Sequence, residues 1–120
     1  MRRTPKEDLL VGGLDDWADA GWALMSARLG GAEDPVALRD YTLGLIAEVL
    51  DEGLMVAGDV IAGEHIPWPG SAEEAADRIR RDWLDEWGED VPTPGSVVWL
   101  ANTSAGDEIG RAVLARESLE

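Results

Sequence analysis

Residues 34–59 read DPVALRDYTLGLIAEVLDEGLMVAGD, and this stretch sets the fold class. Asp34 is a natural N-cap, and Pro35 suits the first helical position, where a missing N–H costs no hydrogen bond. Leu38, Tyr41, Leu45 and Val49, flanked by Ile46 and Leu50, recur at three- and four-residue spacing and make one broad apolar helix face. Gly53 stands where a left-handed residue ends a helix. Leu54-Met55-Val56 follows at once and reads as a short strand, with Gly58-Asp59 as its turn. A long helix feeding a strand through a single glycine places the chain in the α+β class.

Toward the N-terminus, Leu14, Trp17, Gly21, Leu24 and Arg28 keep helical spacing, with Trp22 and Met25 widening the apolar face. They predict a helix over 14–29 that closes at Gly30-Gly31. Before it, Thr4-Pro5-Lys6-Glu7 reads as a capping box on a short helix that Gly12-Gly13 would end. Toward the C-terminus, residues 62–70 with Pro67-Trp68-Pro69-Gly70 predict a loop. Ser71 and Glu74 form a second capping box, opening a helix that buries Ala72, Ala76, Ile79, Trp83 and Trp87 and stops at Gly88. A rigid Val91-Pro92-Thr93-Pro94-Gly95 linker leads to Ser96–Ala101, the most strand-like run in the chain. Thr103 or Ser104 then caps a last helix with Ile109, Ala112 and Val113 facing inward.

Charge is the strongest compositional signal: 25 acids against 10 bases, a formal net −15 over 120 residues. The excess is not a tail. Residues 1–52 hold 11 acids and 5 bases, and residues 53–120 hold 14 and 5. Such a field repels nucleic acid and anionic membrane and speeds encounter with a basic protein. Solubility or a salt-rich host would also favour it. The charged N-terminus leads into only three apolar residues, Leu9 to Val11, too few for a signal peptide or a span, so a cytoplasmic location is expected.

Chemistry-bearing residues are few. With no cysteine, one histidine (His65) and one lysine (Lys6), thiol chemistry and His-based metal sites lack their parts. His65 sits in a Gly-Glu-His-Ile-Pro run without an evident nucleophile and reads as structural or solvent-exposed. Carboxylate pairs are common, from Asp15-Asp16 to Glu89-Asp90, but none follows a calcium-loop spacing, and solvated helix faces account for them. The expectation is no catalytic residue, no cofactor and no metal. Trp68, between two prolines, either covers the core or stands out as an interface anchor.

Two segments resemble winged-helix proteins. Leu45 to Met55 looks like a recognition helix running into the first wing strand. Trp99 to Ile109 looks like the second wing strand followed by a C-terminal helix whose start reads Thr103-Ser104-Ala105-Gly106. The departure is the helix from Ser71 to Trp87, which lies where a winged helix has a short loop. The chain is also similar to small acidic actinobacterial proteins in its Asp15-Asp16-Trp17, Glu52–Asp59, Pro67-Trp68-Pro69 and Trp99–Thr103 segments, a resemblance that implies no activity. In a DNA-reading winged helix the helix from Pro35 would enter the major groove, yet its polar side carries Asp40, Glu48, Asp51 and Glu52 against Arg39 alone.

The reading is therefore a single helix-rich α+β domain over residues 1–120, winged-helix-like. It has about four helices, a small two- or three-stranded antiparallel sheet, and an extra helix between the wing strands. The expected function is a non-enzymatic module binding a basic protein partner, such as a toxin or nuclease, as an immunity or inhibitor protein does. The alternative is a winged-helix-derived scaffold or transcription-related interaction domain that does not touch DNA. No nucleic acid or membrane partner is expected, and a homodimer is open. The candidate partner-binding residues are Glu64, His65, Trp68, Glu73, Glu74, Asp77, Asp85 and Glu89.

Overall fold

The computed structural model describes residues 2–120. Its elements are α1 (Pro5–Gly12), β1 (Ala18–Asp19), α2 (Ala20–Ala27) continued by a 3-10 turn to Gly30, and α3 (Pro35–Asp51). After these come β2 (Met55–Ile61), β3 (Glu64–Pro67), α4 (Ala72–Glu86), β4 (Trp99–Asn102) and α5 (Ser104–Ser118). The fold is helix-rich α+β. One antiparallel sheet runs in the order β1-β4-β2-β3.

Four of the helix starts follow their cap signals. Thr4 with Glu7 and Ser71 with Glu74 form complete capping boxes, Asp34 caps α3 through the Ala37 N–H, and Thr103 caps α5. Gly53 ends α3 with φ 71°. The core gathers Leu9 and Leu10 of α1, Ala23, Leu24 and Ala27 of α2, and Leu38, Ile46, Val49 and Leu50 of α3. Met55, Ala57 and Leu100 of the sheet and Ile79 and Trp83 of α4 complete it. Trp83 is fully buried and anchors α4 to α3.

Several expectations need correction. The described residues form five α-helices rather than about four, because α1 forms in full behind its capping box. The sheet has four strands rather than two or three. Residues 64–67, expected as loop, are the edge strand β3, and Pro67 is tolerated at its end because an edge strand can lack an N–H. The turn falls at Ala62-Gly63, not Gly58-Asp59, so β2 runs on through both of those residues. The second helix starts at Ala20, not Leu14, because Ala18-Asp19 pair with Leu100 and Trp99 and the Asp19 carboxylate caps the helix through the Trp22 N–H. Ser96–Val98 leave the sheet: the Val98 N–H bonds the Ser96 carbonyl at 2.9 Å around Val97 at φ 73°, a tight γ-turn. On α5, Gly106, Gly110 and Val113 face inward, while Ile109 and Ala112 are exposed.

Candidate functional site

The expected partner-binding residues separate into three places. Glu64, His65 and Trp68 belong to the β2–β3 hairpin and its exit. Glu73, Glu74 and Asp77 lie in the first half of α4. Asp85 and Glu89 lie toward and beyond its end, with Glu73 and Asp85 about 18 Å apart along the axis at 1.5 Å per residue.

Three of these side chains are occupied internally. His65 Nε2 lies 2.9 Å from the Trp99 carbonyl oxygen, which can only accept, so Nε2 carries the hydrogen. The imidazole passes over Gly58, where a Cβ would run into the ring and into the Ile66 carbonyl. Its ring centroid is 6.3 Å from that of Trp17. Trp68 is half-buried against the core, its backbone N–H bonds the Ala57 carbonyl at 3.0 Å, and the Arg78 guanidinium stacks 3.7 Å from its ring centroid. The Glu74 carboxylate accepts from the Ser71 N–H at 3.0 Å, and that backbone bond holds its pKa below the usual carboxylate range.

Glu73 and Asp77 are exposed and face a different neighbour. They stand on one wall of a groove of about 480 Å³ between α4 and α3, and Glu48 and Asp51 stand on the other. Gly44, Ala47, Ala72 and Ala76 also line it. Small side chains let the two helices approach, and the four carboxylates remain around the opening. At the end of α3 the Lys6 ammonium sits 2.9 Å from Glu52 and 3.1 Å from Glu48, and these two bonds, Glu52 first, raise its pKa. One side of this groove already receives a lysine.

Glu89 lies elsewhere, at a smaller crevice of about 130 Å³ with Leu24, Leu38, Trp83, Arg28 and Arg39. Asp85 is exposed on α4 and belongs to neither concavity. Glu48 and Asp51, the α3 half of the groove, were absent from the expected set. Their i, i+3 spacing puts them on one helix face, but only the docking of α4 makes that face a wall. Among the described residues, no group of three or more His, Asp or Glu side chains is placed to hold a metal ion. No helix there is long and apolar enough to cross a membrane. Comparison with protein-family models, curated proteins and solved structures finds no match to this chain.

Proposed function

We propose that the chain is a non-enzymatic binding module whose α3–α4 groove receives a basic segment of another protein, in the manner of an immunity or inhibitor protein. The observation that carries this reading is the convergence of Glu48, Asp51, Glu73 and Asp77 around a small-residue groove. Lys6 seated between Glu48 and Glu52 supports this reading, since a partner's lysine or arginine would make the same kind of pair. Of the residues expected from sequence, Glu73 and Asp77 take this role. Glu64, Asp85 and Glu89 contribute to the surrounding field, while His65, Trp68 and Glu74 shape the scaffold.

A second reading, a winged-helix-derived scaffold, is favoured by connectivity. α3 runs into β2, β2 pairs antiparallel with β4, and β4 runs into the Thr103-capped α5, with β3 and α4 inserted between the two wing-like strands. DNA is an unsuitable ligand on either reading. α4 lies against α3, and the remaining polar surface of α3 is acidic, whereas phosphate contacts need lysine and arginine.

The test is capture from native lysate with the wild-type chain and with E48Q/D51N/E73Q/D77N. A basic protein held by the wild type should associate on the order of tenfold more slowly with the variant, with a shallower dependence on salt. A captured partner with the same rate and the same salt slope for both chains would overturn the groove as the interface.

A further inference from the structure

The acid-rich sequence has charge-poor stretches, and one of them forms an exposed helix face. From Ala20 to Ala32 the chain carries no acid and a single base, Arg28. Along this segment Trp22, Met25 and Leu29 point outward at i, i+3 and i+7, and they are 49%, 58% and 45% exposed. The Trp22 indole lies over Gly12 at the end of α1, and the ring of Tyr41, itself 44% exposed, lies over Gly30, so the apolar surface continues beyond α2 at both ends. Trp, Met and Tyr are side-chain types enriched where proteins meet. These four present roughly 400 Å², within the size range of a monomer's largest and often functional patch.

We propose that this face is a homodimer interface, in which α2 of one copy packs antiparallel on α2 of a second copy about a two-fold axis near Met25. Charge selects the second copy. Two chains of net −15 repel each other over most of their surfaces, so self-association needs a face without carboxylates, and α2 supplies one that is also apolar and exposed. The flanks of the helix are also complementary to themselves. Asp15, Asp16 and Asp19 precede α2, and the exposed Arg28 follows it, with no ion pair of its own among the described residues. Reversing one helix against the other brings each Arg28 toward the partner copy's aspartates and each Trp22 toward the partner copy's Leu29, the reciprocal contact a two-fold requires. Burying the patch on both copies removes roughly 800 Å², about half of a standard interface, before the flanking residues are added.

Sedimentation and light scattering across a concentration series read the mass directly, as 12.9 kDa or twice that. The wild type should dimerise, and more strongly as salt rises, because screening weakens the repulsion between like-charged copies. A complex of the acidic groove with a basic partner should weaken with salt, so the two proposals fail separately. Met25→Glu places two carboxylates face to face at the axis and should weaken the dimer on the order of a hundredfold. Because Met25 is exposed, the variant should keep the wild-type circular dichroism. The chain has no cysteine, so Met25→Cys should form a disulfide across the axis on mild oxidation, whereas Leu114→Cys, also exposed but on α5, should not. A wild type that stays monomeric to about 1 mM, the weak end of the affinity scale, would overturn the proposal and assign the stripe to a different protein. An unchanged dimer in Met25→Glu without cross-linking at residue 25 would overturn it equally.

Discussion

At the scale of single residues, Trp83 carries the largest share of the core. It is fully buried, and its indole N–H has no partner among the described residues. Truncation and aromatic replacement should therefore diverge. Trp83→Ala opens a large cavity under α4 and should cost about 3–5 kcal/mol in urea unfolding. Trp83→Phe keeps most of the ring and removes a buried donor that gains nothing, so it should cost well under half as much. Equal losses in the two variants would mean that the N–H is satisfied in solution. His65 and Gly58 make a second residue-level pair. The imidazole reaches the Trp99 carbonyl because position 58 has no side chain, and so the one histidine is tied into the sheet.

At the scale of elements, charge pairs bind the two ends of the described chain together. Arg116 Nη1 donates to Glu7 at 2.8 Å, and Arg3 bonds Glu117 through Nε at 2.6 Å and Nη2 at 2.8 Å, joining α1 and the residue before its cap to α5. Glu7 also accepts from the Thr4 N–H. The bond from Arg116 first, then the one from Thr4, hold the Glu7 carboxyl below its ordinary value of 4.5, and Arg3 does the same for Glu117. A carboxylate with a lowered folded pKa binds its proton more weakly in the folded than in the unfolded chain. Its stabilisation is therefore complete above about 4.5 and is lost as pH falls through the lower folded value. Glu7→Gln keeps the cap, because glutamine can fill that role in a capping box, but removes the charge facing Arg116. It should lower the urea midpoint at pH 7 by the equivalent of about 1 kcal/mol or less, and the gap should narrow as pH falls below 4.5. A gap of constant size from pH 7 to pH 3 would show that the charge of Glu7 contributes nothing.

At the scale of the whole molecule, fifteen net negative charges act on the folded state itself. Intrahelical pairs such as Arg78–Asp82 at 3.8 Å relieve them only locally. Self-repulsion should be strongest at low ionic strength, where the Debye length is longest. The melting temperature should therefore rise on the order of 5 °C between 10 mM and 1 M sodium chloride, corresponding to about 1 kcal/mol of relieved repulsion. Differential scanning calorimetry on dilute protein, below any self-association, reads this directly. A flat profile would show that the carboxylates are too far apart to interact.

Sequence alone determined what local chemistry determines: the caps at Thr4, Asp34 and Ser71, a cap at Thr103 or Ser104, the stop at Gly53, the α+β class and the acidity of both halves. Each depends on neighbours within about four residues or on simple counting. Tertiary structure decided whatever depends on a partner distant in the chain. Ala18-Asp19 leave the helical pattern because Leu100 and Trp99 offer a strand edge, and Pro67 tolerates a strand because β3 is at the outside of the sheet. Trp22 and Met25 keep helical periodicity yet face solvent, since the core is already filled by Ala23, Leu24 and Ala27 on the other side of α2. The candidate groove follows the same logic. Glu48 and Asp51 are ordinary exposed acids on α3 until α4 brings Glu73 and Asp77 opposite them. Periodicity shows that a helix has faces, and only the packing of the whole chain decides which face is buried, which is walled and which stays open.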